Sequence, residues 1–321
     1  MSVALQILPY LPPSLRLLLA SLTPVEWKIM EEIRLNLNLP VSCRFHDNEA
    51  FVASGGGLTN EFGRAHILNN KEMEQCLLLL SQSSFYALEE ELRRGYITLP
   101  GGHRAGLCGR AVLAAGQVRT IKEISSVNLR LARQVADASL TLLPSLFDQY
   151  NKLCSTLLIS PPRAGKTTLL RDIARQLAGG RMIEPLRVGI VDERSEIAAM
   201  RGGISQLDLG IRCDILDGCP KAEGLMMLLR SMSPQVLICD EIGSEADAAA
   251  LIEAANAGVK VVASAHATDC DELAARPVFA ALLHAHAFER LVVLSRRRGP
   301  GTVEGIYDQN LQPLEAGGLV C

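Results

Sequence analysis

The stretch Leu157-Leu158-Ile159-Ser160-Pro161-Pro162-Arg163-Ala164-Gly165-Lys166-Thr167-Thr168-Leu169-Leu170 constrains this chain more than any other. An apolar run of strand length enters a tight turn, and Gly-Lys-Thr then opens a helical pattern. That is the order of a phosphate-binding loop. Backbone N–H groups at a helix N-terminus carry partial positive charge and can wrap a polyphosphate. Residues Ser160 to Thr168 are the candidate nucleotide cradle. Lys166 would add a full charge on the β- and γ-phosphates, and the Thr167 hydroxyl would ligate Mg²⁺. One position departs from G-x-x-x-x-G-K-[ST]: its first glycine is Ser160. Glycine is favoured where the backbone takes positive φ or approaches phosphate closely, so Ser160 puts affinity in question more than mechanism. Arg163 stands where a small residue is common, and either contacts phosphate or points to solvent.

A chain of 321 residues has room for two domains, each with its own core. Hydrophobic content of 48% beside 21% charged residues is that of a globular protein. Few aromatics and many small aliphatics suit helices packed on a parallel sheet. The net charge of -3 gives no electrostatic reason to expect nucleic acid as a partner. Nine scattered cysteines without a C-x-x-C pair favour reduced thiols over a disulfide framework. The apolar N-terminus, Met1 to Leu22, is broken by Pro9, Pro12, Pro13 and Arg16. It reads as an amphipathic segment docking on its own domain rather than a membrane span.

Residues 1–135 form an N-terminal α+β domain in this reading. Val41–Phe45 and Ala50–Ala53 are short strands around Asp47-Asn48, and Gly55-Gly56-Gly57 is a loop. Met73, Leu77, Leu80, Leu88 and Leu92 give Lys71–Arg94 a helical period that Gly95 would end. Tyr96–Leu99 and Arg104–Leu113 suggest a hairpin, and Ile124–Leu131 another strand. Arg104, Arg110, Arg119, Lys122 and Arg130 are either a solvated sheet face or a source of one or two phosphate contacts. Residues 136–151 would be a helical linker, with Pro144 near its middle.

Residues 152–321 change pattern: apolar runs of strand length alternate with helices. The runs are Thr156–Ile159, Val188–Val191, Val236–Cys239, Val259–Ala263 and Leu291–Leu294. Strands buried on both faces with helical crossovers argue for a parallel sheet flanked by helices. Lys166–Ala178 is a helix that stops at Gly179-Gly180. Ser244 stands three before Asp247 as a helix cap, and that helix ends at Gly258. Pro277 opens a further helix. Val303–Tyr307 would pair with Leu291–Leu294 through the Arg296-Arg297-Arg298 turn.

Ligands of parallel sheets bind at the carboxyl edge of the strands. After Val236–Cys239 come Asp240 and Glu241. Asp240 would hold Mg²⁺ through water, and Glu241 would orient and deprotonate the attacking water. After Val188–Val191 come Asp192 and Glu193, a second acidic corner, with Arg194 as an alternative ion partner inside the loop. Asp192 is a candidate metal-side acid and Glu193 a catalytic one. After Val259–Ala263 comes His266, placed to bond the γ-phosphate and report its loss. Phosphoryl transfer needs charge placement more than covalent chemistry. An arginine for the departing charge is left open between Arg230 and an N-domain arginine, Arg104 or Arg130.

These motifs resemble the stage III sporulation protein AA family. The resemblance rests on Gly165–Asp172, Val191-Asp192-Glu193-Arg194-Ser195-Glu196-Ile197, Asp217-Gly218-Cys219-Pro220-Lys221, Asp240-Glu241-Ile242-Gly243, Ala265-His266-Ala267 and Pro100-Gly101-Gly102-His103-Arg104. It covers most of the chain, from about Glu31 to Asp308. It implies a RecA-like domain of the RecA/AAA+ class, similar to the ATPases of type II and type IV secretion systems. Glu241 is then the catalytic acid, Asp192 and Glu193 the acidic box, and His266 part of a histidine box, with ATP and Mg²⁺ as cofactors. The implied setting is a homohexameric ring in the mother-cell cytoplasm, with membrane-embedded sporulation proteins as partners. An ATP-dependent ring scaffold with little hydrolysis is the alternative. A nucleic-acid motor is disfavoured by the net acidity.

Overall fold

A computed structural model describes residues 3–45, 48–81, 92–93, 95–114, 116–180 and 184–314. The chain divides into two compact units, Met1–Arg133 with Ala199–Gln206, and Gln134–Ala198 with Leu207–Cys321.

The first unit opens with helices α1 (Val3–Ile7), α2 (Pro13–Ala20) and α3 (Pro24–Ile29). Its seven-stranded sheet contains β1 (Met30–Asn36), β2 (Ser42–Phe45), β3 (Asn48–Val52), β4 (Leu58–Thr59), β5 (Tyr96–Thr98), β6 (Arg104–Ala114) and β7 (Gln117–Arg130), in the order β4-β3-β2-β1-β7-β6-β5. The N-terminal segment does dock on its own unit. Ile7, Leu11, Leu15 and Leu19 share one core with Ile33, Leu35, Val127 and Leu129. No helix among the described residues is long and apolar enough to cross a membrane. Helix α4 (Asn70–Leu80) starts where Asn69 and Glu72 form a capping box, a signal the periodicity alone does not carry. The remainder of the Lys71–Arg94 expectation, like Asp47 of the expected turn, lies outside the described residues.

The second unit is built on a seven-stranded sheet. Its strands are β8 (Thr156–Ile159), β9 (Val188–Asp192), β12 (Cys213–Asp217), β13 (Val236–Cys239), β14 (Lys260–Ala265), β15 (Arg290–Ser295) and β16 (Thr302–Asp308). The short β10 (Met200–Arg201) and β11 (Ile204–Ser205), in the 199–206 segment that belongs to the first unit, pair with each other. The sheet order is β12-β9-β13-β14-β8-β15-β16, parallel throughout except for the β15–β16 hairpin. Every residue of β8, β9 and β13 is buried, as continuous apolar runs require. Helix α5 (Lys166–Gly179) packs on β9, β13 and β14, while α6 (Lys221–Ser231) packs on β9 and α7 (Glu245–Asn256) on β14. Two short helices, α8 (Cys270–Ala274) and α9 (Pro277–His284), lead into β15. The Ser244–Asp247 capping box and Pro277 at a first helical turn are both present.

Two elements lack an expectation, and one expectation is corrected. Strand β12 and helix α6 were not read from the sequence, because acids interrupt the edge strand Cys213-Asp214-Ile215-Leu216-Asp217. Residues 136–151 are no helical linker. They form turns with one short 3₁₀ turn at Leu143–Leu146, where Pro144 has no N–H for a longer helix. Leu142, Leu143 and Leu146 are buried. The Asp137 N–H and the Ser139 N–H and hydroxyl all donate to the Asp172 carboxylate of α5, at 3.0, 2.8 and 2.7 Å. Arg175 closes this network, 2.6 Å from Asp137 and 2.7 Å from Asp172. The segment is thereby a fixed part of the second unit.

Candidate functional site

Between β8 and α5 the chain turns through residues 160–165. Helix α5 has no side-chain cap, so its first-turn N–H groups remain available to a ligand. By contrast α3, α4 and α7 each begin with a capping box. Gly165 adopts φ +92°, and a Cβ built there would lie 2.9 Å from the Gly301 nitrogen. Gly301, in the β15–β16 turn, donates its N–H to the Ala164 carbonyl at 2.8 Å. The triple-arginine turn therefore buttresses the loop through its glycine.

Ser160 does not sit in the left-handed region, so the conformational reason for a glycine does not apply to it here. Arg163 does, at φ +63°, and it is exposed. Ser160 is fully buried, and its hydroxyl lies 3.0 Å from Lys166 Nζ and donates to the Pro161 carbonyl at 2.9 Å. Lys166 Nζ also donates to the Ser160 and Pro161 carbonyls, at 3.0 and 3.1 Å, and lies 2.9 Å from His266 Nδ1. Burial pushes the Lys166 pKa down to about 8, against the pull of Glu241 and Asp240.

His266 follows β14, and its Nε2 stands 2.9 Å from Glu241 Oε1. An ammonium only donates, so Nδ1 accepts from Lys166 and Nε2 carries the proton toward Glu241. Arg276 holds the His266 carbonyl at 2.6 Å. Glu241 follows β13 with φ +43°, and its N–H is fixed by the Ser264 hydroxyl at 2.9 Å. Its Oε2 accepts from Arg194 at 2.6 Å. Burial pushes the Glu241 pKa up, but the His266 bond and the Arg194 charge outweigh it and hold the carboxyl below its usual range. The structure thus joins Lys166, His266, Glu241 and Arg194 in one chain of contacts.

Asp240 is almost fully buried, and its Oδ2 has no hydrogen-bond partner among the described residues. Burial, then the nearby Asp192, raises its pKa to about 7. An orphaned carboxylate oxygen at a strand end is a fit place for a divalent cation, whose charge would offset the desolvation. Among the described residues no cluster of three or more His, Cys, Asp or Glu could hold a metal by itself. That donor set suits Mg²⁺, which takes one or two protein oxygens and completes its shell with water and phosphate. Thr167, half-buried in the first turn of α5, is the second candidate donor.

Asp192 is fully buried, and it accepts the N–H groups of Glu196, Ile197 and Ala198 at 2.8, 2.9 and 2.7 Å. One amide lies on Oδ1 and two on Oδ2, so Asp192 shapes the loop after β9. Burial still drives its pKa up, against these three bonds. Glu193 forms an ion pair with Lys221 at the start of α6. Arg171 of α5 clamps the same loop, donating to the carbonyls of Ile197 at 2.8 Å and Glu196 at 2.6 Å.

The arginine candidates separate clearly. Arg230 lies in the last turn of α6, which leads into the amino end of β13, away from the carboxyl edge; its ion partner is Glu253 at 3.9 Å. It does not reach the strand-end acids of its own chain. Arg104 and Arg130 are register partners on β6 and β7 of the first unit. Arg104 stacks over Tyr96 at 4.6 Å, and Arg130 lies 3.5 Å from Glu32. Arg194, read beforehand only as a possible loop ion partner, is the arginine at the strand-end acids. Its signal was its place one residue beyond the acidic pair that follows β9.

Residues 2–314 match the sequence profile of the family described as "Sporulation stage III, protein AA". The chain is 44% identical over 306 residues to the stage III sporulation protein AA of Bacillus subtilis (strain 168), covering 95% of each chain. A weaker relative, the uncharacterized protein ycf45 of Cyanidium caldarium, is 29% identical over 177 residues, 53% of this chain and 52% of that one. Among solved structures, the fold is similar to the ATPase DotB of Legionella pneumophila, with a TM-score of 0.53 at 14% identity over 82% of this chain and 72% of that one. The Yersinia pseudotuberculosis ATPase DotB gives 0.53 at 16% identity, over 82% and 70%. The α/β architecture is that of these ATPases.

Proposed function

Because the chain belongs to the stage III sporulation protein AA family and folds like the DotB ATPases, we propose that it is a Mg²⁺-dependent ATPase. In this reading it hydrolyses ATP to ADP and phosphate as a homohexameric ring. The ring works from the mother-cell cytoplasm and powers assembly or transport by a membrane-embedded sporulation complex. The observation that carries the reading is the convergence of Lys166, His266 and Glu241, each from a different strand end, beside the orphaned oxygen of Asp240.

Lys166 and the uncapped amides of α5 bind the β- and γ-phosphates. Asp240 and Thr167 would hold Mg²⁺, which would supply charge neutralisation to the phosphate oxygens. Glu241 orients a water and takes its proton as the water oxygen bonds to the γ-phosphorus. The bond from that phosphorus to the bridging oxygen breaks, and ADP leaves with the electron pair. His266 keeps its Nε2 proton on Glu241 and its Nδ1 toward Lys166, so a change at either residue is felt at the other. Glu193 supports this from the second acidic corner through Lys221. Arg104 or Arg130 is proposed as an arginine contact to phosphate.

The alternative, an ATP-dependent ring scaffold that hydrolyses little, is favoured by one observation: both Glu241 oxygens already carry donors. Replacing Glu241 by Gln separates the two. The ATPase reading expects turnover to fall at least about 100-fold with ATP affinity retained. Turnover that survives the substitution removes Glu241 from its role, and a wild-type ring without phosphate release favours the scaffold.

A further inference from the structure

We infer that Arg194 is a latch on Glu241: a positioning residue that holds the proposed base in a closed arrangement and so sets a low basal rate. The inference rests on the ATPase reading above. Three observations carry it.

The first is the contact. Arg194 donates to Glu241 Oε2 at 2.6 Å while His266 occupies Oε1 at 2.9 Å. A general base must turn an oxygen toward the water it deprotonates. Here each oxygen already faces a protein donor.

The second is strain. Glu241 is held at φ +43°, a costly conformation for a residue with a Cβ, maintained by the Ser264 hydroxyl on its N–H. The carboxylate is therefore seated by its surroundings, and another seat is reached by changing its partners.

The third is the asymmetry of those partners. His266 is tied to Lys166 and, through its carbonyl, to Arg276. The Arg194 side chain is 60% exposed, so leaving Glu241 for water costs it little desolvation. The loop that carries it is itself held by hydrogen bonds. Asp192 binds three amides of that loop, and Ser195 donates to Asp217 at 2.6 Å.

Polyphosphate would draw Lys166 from His266 Nδ1, loosening one side of Glu241. Arg194 would remain as the second hold, which a partner or a neighbouring subunit could lift. An exposed ion pair contributes about 0.2–1 kcal/mol, so the latch is a modest gate.

The test is steady-state phosphate release by the full chain, comparing wild type, R194Q, R194K, E241Q and the R194Q/E241Q double variant. The latch expects R194Q to raise kcat about two- to fivefold with KM unchanged, the range that ion-pair energy allows. R194K, which keeps the charge, returns the rate toward wild type. The double variant stays as silent as E241Q, because Arg194 acts through Glu241. A kcat that is unchanged or lower in R194Q, with E241Q silent, overturns the latch and leaves the ATPase reading standing. An E241Q variant that turns over like wild type overturns the ATPase reading, and the latch with it. Nucleotide bound by wild type and R194Q without release by either has the same result.

Discussion

Gly165 and Gly301 are locked against each other across the phosphate loop. A Cβ added to Gly165 would come 2.9 Å from the Gly301 nitrogen, whose N–H is already given to the Ala164 carbonyl. Gly165 also needs φ +92°. The turn between β15 and β16 thus fixes the entry to α5, although it is remote in sequence.

Replacing Gly165 by Ala meets both obstacles at once. The left-handed backbone alone costs about 1–3 kcal/mol for a side chain, and the collision must be relieved by shifting a hydrogen-bonded backbone. The expected outcome is loss of nucleotide binding, read by titration with a fluorescent ATP analogue, in a protein whose circular dichroism remains native. Wild-type affinity in this variant would exclude the Gly165 geometry as a requirement.

Ser160 tests the opposite situation. Its backbone is not left-handed, and its hydroxyl turns inward to Lys166 Nζ and the Pro161 carbonyl. In Ser160→Gly, Lys166 keeps the two carbonyls and His266 as partners. ATP affinity should therefore stay within about threefold of wild type, the loss of one modest hydrogen bond. A tenfold gain would mean that the serine side chain obstructs the phosphates after all.

Asp172 anchors α5 to residues 137–139, and it is 2% exposed with Arg175 at 5%. Removing the carboxylate in Asp172→Ala strands a buried guanidinium, with only Asp137 left to compensate at 2.6 Å. The second unit should lose about 3 kcal/mol. Urea unfolding followed by tryptophan-independent far-UV signal reads this, and a loss under about 1 kcal/mol would show that the network is dispensable.

His103 makes stability depend on pH. It is fully buried, its Nδ1 accepts the Ala132 N–H at 2.9 Å, and its Nε2 faces Gln6 Oε1 at 2.9 Å. Burial first, then the Arg133 charge, lowers its pKa from 6.5 to about 4. Between these values the unfolded chain binds more protons than the folded one, so stability rises with pH through that window. The contribution is complete above about pH 6.5 and is lost as pH falls toward 4. Unfolding midpoints at about pH 5 and about pH 7.5 should differ more for wild type than for His103→Gln. Equal differences would remove His103 from the account.

Parts of this molecule were legible because their signals are local. The runs Thr156–Ile159 and Val236–Cys239 are apolar throughout, and a strand buried on both faces needs nothing more. Ser244 with Asp247 and Pro277 write helix starts directly into the sequence. Lys166, Asp240, Glu241 and His266 were legible as strand-end residues of one parallel sheet. The edge strand Cys213–Asp217 was not, since its acids break the apolar run, nor was the turn-rich segment 136–151.

The sequence by itself determined which strands end in which polar residues, because hydrophobic burial dictates where each run must stop. Only the tertiary structure decided what those residues do to one another. It set three backbone amides on the Asp192 carboxylate and left Asp240 Oδ2 without a hydrogen-bond partner among the described residues. It placed Arg230 toward the amino edge of the sheet and brought Arg194 onto Glu241. A carboxylate's role depends on which donors come within about 3 Å, and strand order and loop path set that distance, not residue type. The phosphate loop shows the same division: its glycine and lysine are written in the chain, while the Gly301 turn that holds them is supplied by the fold.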